Sequence, residues 1–267
     1  MASRNRVGIV DLMAVSARGL AGRQFSTWIS AADPDTETQV VDSDWTEIES
    51  FDALVVTGAE PSTADLRQDP CHAVVGRILE STSAPVVFSC LSAHSALNHL
   101  YALPRRRLPA KRIGVFEHAV APGPLTAGLS DVVHVPHSRW NTVDLMGVTA
   151  QMVTVDGDWA YAAADRYMFV QGHPEYFPDT LFREYRRDVR RYLSRESDDF
   201  PTIPSGYFTV ETLAELADFS VRARRRRSPD TFAAFPDVRR ATGDGWAGPA
   251  VKVAANWLAA VRGAVNV

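Results

Sequence analysis

Residues 7–13, 38–41, 51–57 and 85–89 are short apolar runs, and residues 24–32, 72–81 and 91–101 space their apolar side chains for helices. A strand that is apolar along its length has both faces buried. Such strands alternating with helices predict an α/β fold: a mostly parallel sheet with helices on both faces. Reactive groups in these sheets collect at the carboxyl ends of the strands. Gly58 and Cys90 both fall at such ends. From residue 114 to 169 the elements shorten to 114–118, 132–135, 148–155 and 167–171. Turns such as Pro122-Gly-Pro124 and Asp156-Gly-Asp158 separate them, as in a meander leading into the last central strand. Residues 178–196 predict a charged helix and residues 201–206 a linker. The tail predicts a helix from residue 210, a Gly/Pro-rich loop at 243–249 and a terminal apolar helix. The chain therefore divides into an α/β domain carrying the site, residues 1–200, and a C-terminal helical extension packed on it, residues 201–267.

The 267 residues are 46% hydrophobic, enough for a sizeable core, and the net charge is −4. That balance, without a reading motif, argues against a nucleic-acid partner. No run approaches the roughly 20 apolar residues of a membrane span, and residues 1–7 lack the apolar stretch of a signal peptide. Two cysteines, Cys71 and Cys90, are too few for a disulfide scaffold. The expectation is a cytoplasmic protein with no membrane partner.

The chemistry concentrates in Phe88-Ser-Cys90-Leu-Ser-Ala-His94 and Gly172-His-Pro-Glu-Tyr176. Cys90 ends an apolar strand and starts a helix, where free N–H groups and the helix dipole favour a thiolate. His173 supplies a base for it, and Glu175, two residues on across Pro174, can orient the imidazole. The Leu91 N–H, with a second donor from Gly58-Ala59, would form an oxyanion hole. A strand-end cysteine is often only a small buried residue, and a single His-Pro-Glu is a weak signal. Their combination on this architecture carries the functional reading. Cys71 is the contrast: its sequence neighbour His72 cannot face it on a helix, so Cys71 reads as structural. No metal-ligand spacing and no phosphate loop is present, so neither a metal nor a bound cofactor is expected.

Val56-Thr-Gly-Ala59, the run 88–104, Gly114-Val-Phe-Glu-His118, Val135-Pro-His-Ser-Arg139 and Gly172-His-Pro-Glu-Tyr176 resemble motifs of homoserine O-succinyltransferases and their acetyl-transferring relatives. Glu184-Tyr-Arg-Arg-Asp-Val189 and Asn256-Trp-Leu258 are similar too, and the likeness runs in order from about residue 7 to 260. It implies a class I glutamine amidotransferase-like fold and ping-pong acyl transfer in amino-acid (methionine) biosynthesis. Cys90 would carry the acyl group from acyl-CoA as a thioester, His173 would deprotonate the acceptor hydroxyl, and Glu175 would orient His173. Lys111, Ser138 and Arg187 match the residues that hold the amino-acid acceptor, and a guanidinium suits a carboxylate. The resemblance also implies a homodimer. The terminal helix (Val251, Ala254, Leu258) is a surface for one, core packing being its alternative use.

The chain departs from the family in several places. The family's segment before the first strand is longer, and its lysine pair after Leu-Met is replaced by Ala14-Val15. The donor loop is short, and Ser62 stands where a glutamate favours acetyl and a glycine succinyl. A small residue leaves room for succinyl. Serine or another hydroxy amino acid remains an alternative acceptor. Two rival classes are a glutamine amidotransferase-like cysteine hydrolase and a non-catalytic relative that binds amino acid or acyl-CoA. Against the first stands Ser92, where such enzymes carry glycine; against the second stands the complete set Cys90, His173 and Glu175. Arg222 to Arg227 reads as a solvated run, with a coenzyme A phosphate site or a subunit contact as its functional alternatives. Arg105-Arg-Arg107 is a second basic cluster placed to meet phosphates, Arg186 rivals Arg187, and His94 reads as a packed helix residue.

Overall fold

The computed structural model describes residues 5–13, 19–41, 45–238 and 245–265. In chain order its strands are β1 (Arg6–Val10), β2 (Glu37–Val41), β3 (Ala53–Val56), β4 (Val86–Ser89), β5 (Arg105–Val120), β6 (Val132–Val143), β7 (Thr149–Val153), β8 (Trp159–Ala164) and β9 (Tyr167–Val170). The helices are α1 (Leu20–Ala32), α2 (Pro70–Ser81), α3 (Leu91–Tyr101), α4 (Thr180–Leu193), α5 (Val210–Arg225) and α6 (Ala247–Val265). All nine strands join one sheet in the order β2-β1-β3-β4-β9-β8-β7-β5-β6. The β2-β1-β3-β4-β9 half is parallel and the remainder antiparallel.

Alternate strand residues feed two cores, because successive side chains point to opposite faces. Leu54, Val86, Phe88 and Phe169 pack with Val75 and Ile78 of α2 and Leu97 of α3. Ala53, Val55, Val87 and Met168 pack on the other face with Phe25 and Trp28 of α1 and Trp257 and Val261 of α6. The parallel, helix-covered sheet matches the sequence expectation. The apolar side of α6, including Ala254 and Leu258, is used in this second core. A third cluster joins Ile113 of β5 to Leu181 and Tyr185 of α4, Phe219 of α5, and Tyr207, Phe208 and Trp246.

The antiparallel half differs most from expectation. β5 is sixteen residues and β6 twelve, where only 114–118 and 132–135 read as strand, and β8 reads as no element at all. The first part of β5, Arg105-Arg-Arg-Leu-Pro-Ala-Lys-Arg112, is charged and contains a proline, and the pairing register shifts between Arg107 and Arg112. It is held by pairing with β6, which propensity does not register. β8 is rich in alanine, a poor strand former, and is ordered by its two neighbours. The segment 201–206 is not a free linker: Ser205 accepts from the Val115 N–H at 2.8 Å and donates to the Ile113 carbonyl at 3.0 Å. Gly114 (φ 140°) permits this approach, since a Cβ there would lie 2.2 Å from the Ser205 carbonyl oxygen.

Candidate active site

The carboxyl ends of three adjacent parallel strands, β3, β4 and β9, deliver Gly58, Cys90 and His173 to one edge of the sheet. Cys90 sits at φ 51°, ψ −111°, a conformation that costs a non-glycine residue on the order of 1–3 kcal/mol. The surroundings hold it there. Its N–H donates to the Val170 carbonyl at 2.7 Å, and its carbonyl accepts the His94 N–H at 3.1 Å. Ser92 Oγ accepts from the Ser89 N–H at 2.8 Å and lies 2.9 Å from both the Val56 and Ser89 carbonyl oxygens, so one hydroxyl braces β3, β4 and the turn. Thr57 Oγ1 accepts the Leu12 N–H at 2.8 Å and donates to the Gly58 carbonyl at 3.0 Å, fixing the neighbouring loop exit. A Cβ on Gly58 would stand 3.1 Å from Cys90 Cβ and 3.8 Å from the Leu91 nitrogen. The space beside the thiol and the first N–H of α3 therefore depends on that glycine, with Ala59 next to it, half-buried.

His173 faces the thiol. Its N–H donates to the Pro136 carbonyl at 2.8 Å, and its Nδ1 lies 2.9 Å from Glu175 Oε1. Both side chains are buried. Burial works against an imidazolium, but the Glu175 carboxylate, and then the Cys90 side chain, outweigh it and bring His173 up to about 10. Nε2 has no hydrogen-bond partner among the described residues. Tyr176 stacks on the His173 ring at 4.2 Å, and its hydroxyl donates to Glu184 Oε1 at 2.6 Å. The three elements needed for a thiol nucleophile, a base and an orienting carboxylate are thus together.

Lys111, Ser138 and Arg187 come together around one side of α4. Lys111 Nζ donates to Asp188 Oδ2 at 2.8 Å, and Arg187 Nε to Asp188 Oδ1 at 2.9 Å. Burial disfavours the Asp188 charge, but Lys111 and then Arg187 hold its carboxyl below the usual range. Ser138 Oγ donates to Glu184 Oε2, and Arg191 reaches Glu60 of the 58–65 loop at 3.1 Å. Arg186 instead lies 5.5 Å over the Phe232 ring. Through Tyr176 and Glu184, the His173 ring is connected to Ser138.

A buried polar chain behind the site went unread in the sequence. Asp158 accepts from Arg139 Nη2 and from Gln171 Nε2 (3.2 Å), and pairs with Arg112 Nε at 2.9 Å. Gln171 Oε1 accepts from His94 Nε2 (2.9 Å) and Thr142 Oγ1 (3.1 Å). Arg139 Nε donates to His137 Nδ1 at 3.3 Å, His137 and His118 meet through their Nε2 atoms at 3.1 Å, and His118 Nδ1 faces the Phe116 carbonyl at 2.9 Å. Only one proton arrangement satisfies the chain: His118 Nδ1 and His137 Nε2 are protonated, and both rings are neutral. The signal lay in His118 and Arg139, which close two of the quoted motifs, and in Asp158, read only as a turn residue.

Ser62 is exposed, with its N–H and Oγ bonded to Asp69 Oδ2 at 2.8 and 3.1 Å. Cys71 is buried in the first turn of α2, and burial followed by the Asp69 charge pushes its thiol up. His94 is buried and packed. In the arginine run, Arg227 donates to the Tyr192 carbonyl at 2.9 Å and stacks over Tyr192, while Arg222, Arg224, Arg225 and Arg226 are exposed. The replaced lysine pair, at Ala14-Val15, lies outside the described residues. Among the described residues no group of acidic, histidine or cysteine side chains is placed to hold a metal, and no helix is long and apolar enough to cross a membrane.

Solved structures with this fold include a glutamine amidotransferase from Methylobacillus flagellatus (TM-score 0.60, 16% identity, 96% of this chain and 95% of that one). Another comes from Thermotoga maritima (TM-score 0.58, 12% identity, 97% and 98% covered). At these identities the likeness concerns the fold, which is that of the class I glutamine amidotransferases. Curated sequences are nearer. The homoserine O-succinyltransferase of Methylorubrum extorquens is 39% identical over 225 residues, 79% of this chain and 68% of its own length. That of Bradyrhizobium japonicum is 39% identical over 202 residues, 70% and 62%. The chain thus spans about two thirds of the length of these relatives. The family model described as homoserine O-succinyltransferase matches residues 36–264. With that match and those identities, the chain belongs to the homoserine O-succinyltransferase family, a family of acyl-transferring enzymes.

Proposed function

We propose that this protein is a coenzyme A-dependent O-acyltransferase that moves a succinyl group to the hydroxyl of homoserine through a thioester on Cys90. The observation that carries the reading is Cys90 at its positive-φ turn, facing the buried His173–Glu175 pair. In the first half-reaction the Cys90 thiolate attacks the acyl-CoA carbonyl. The oxyanion is held by the Leu91 N–H and a backbone donor from Gly58-Ala59, in the space that Gly58 keeps open. The C–S bond to coenzyme A breaks, and the departing thiolate takes the proton from His173. In the second half-reaction His173 takes the proton of the acceptor hydroxyl as its oxygen attacks the thioester, and Cys90 leaves as thiolate. Lys111, Arg187 and Ser138 receive the amino acid, with Arg187 gripping its carboxylate. The protein would work in the cytoplasm. It would act as a homodimer.

The test is product formation. Purified protein given succinyl-CoA and homoserine should release free coenzyme A and O-succinylhomoserine, identified by mass spectrometry, and do so faster than with acetyl-CoA or with serine. Hydrolysis of glutamine to glutamate, without acyl transfer, would overturn the reading in favour of an amidotransferase-like hydrolase.

A further inference from the structure

Arg105 opens β5, and its Nη2 donates to the carbonyls of Thr63 at 2.9 Å and Ala64 at 2.8 Å. Both belong to the 58–65 loop, which begins at Gly58 against Cys90 Cβ. Arg105 and the nucleophile therefore sit at the two ends of one short loop. The acids that act most on Arg105, Asp69 and Asp65, are already engaged with backbone N–H groups. Asp69 accepts from the Ser62 and Cys71 N–H groups at 2.8 and 3.0 Å, and Asp65 accepts from the Arg67 N–H at 3.1 Å. Arg105 Nη1 is shut off from water and has no hydrogen-bond partner among the described residues.

A guanidinium carries five donors, and leaving a buried one empty is costly. The other cations of the site have carboxylate partners: Arg139 has Asp158, and Lys111 and Arg187 share Asp188. Arg105 has backbone carbonyls and a spare N–H. What Nη1 lacks is a hydrogen-bond acceptor, which an incoming anion would supply.

We propose that Arg105 is a donor-specificity residue that binds the distal carboxylate of a succinyl group carried on Cys90. The inference rests on the thioester reading above. A succinyl chain extends two methylenes past its thioester carbonyl and ends in a planar carboxylate that a guanidinium matches. An acetyl group ends before it reaches that cation. The Thr63 and Ala64 contacts then have a second purpose, because they fix the direction of the fork.

The experiment measures the rate of Cys90 acylation, by intact mass, with succinyl-CoA and acetyl-CoA separately. Wild type, Arg105→Gln and Arg105→Lys are compared. The succinyl-to-acetyl rate ratio should fall on the order of 10²-fold in Arg105→Gln, the range for removing one partner of a buried charge pair. Arg105→Lys should recover part of it. In the wild type, free succinate should slow acetylation by acetyl-CoA more than butyrate does, a measurement that needs no variant to fold. An unchanged ratio, with both donors slowed alike, overturns the proposal and makes Arg105 a loop brace or a coenzyme A phosphate contact. Equal effects of succinate and butyrate also overturn it. A wild type that forms no thioester with either donor overturns the acyl-transfer reading itself, and this inference with it.

Discussion

His173 lies between a carboxylate and a thiol, and its charge is decided by both. Glu175 is the larger of the two influences that favour the imidazolium, and it also fixes the ring by its 2.9 Å contact with Nδ1. Glu175→Gln keeps an acceptor oxygen and removes the charge. The His173 ring resonance, followed by NMR in protein with labelled histidine, should then titrate at lower pH than the value of about 10 in the intact protein. Turnover should fall at least about 10²-fold, the lower range for losing an oriented acid–base group. These residues were legible in the sequence because each lies within a short motif at a strand end. Tyr176, Glu184 and Asp188 lie within quoted motifs too, but their partners are up to 77 residues away along the chain. No local pattern pairs Lys111 with Asp188.

Among the elements, the parallel strands and β7 were legible, whereas β5 and β6 were read only in part and β8 not at all, for one physical reason. β1, β3, β4 and β9 are buried on both faces and so are apolar along almost their whole length, Arg6 and Ser89 standing at strand ends. β5 and β6 carry charged residues, and their inward positions hold histidine and arginine where an apolar residue would mark a core. Those groups, with His94 of α3 bonded to Gln171 beside them, give this part of the fold a pH dependence. Burial brings His94 down to about 3 and His118 to about 4, and burial with the Arg139 charge puts His137 well below its ordinary value. The unfolded chain binds protons at these rings near pH 6.5, and the folded one does not. Their contribution to stability is therefore complete above about 6.5 and is lost as the pH falls toward 3. His173 has the opposite sign. Its contribution is present below about 6.5 and is lost as the pH rises through about 10. Chemical denaturation across pH should show a maximum between these limits. The acid slope should be shallower in His118→Asn. An acid slope identical in His118→Asn and wild type would contradict the neutral-ring assignment.

Over the whole molecule, two cores clamp the sheet and leave the carboxyl ends of β3, β4 and β9 to be completed by pieces from far along the chain. The 58–65 loop, the start of β5, the His137–Arg139 stretch of β6 and α4 all arrive at that edge. The strand order that inserts β9 beside β4 brings Gly172-His-Pro-Glu-Tyr176 to the cysteine, and this placement follows from topology, which apolar periodicity alone does not specify. The proposed function places one covalent event, acylation, at Cys90. The most direct measurement is the intact mass of the protein after brief exposure to succinyl-CoA without acceptor. The account predicts a single succinyl adduct on Cys90 that homoserine discharges and that Cys90→Ala lacks. Turnover to O-succinylhomoserine by Cys90→Ala, or an adduct that persists in that variant, would contradict it.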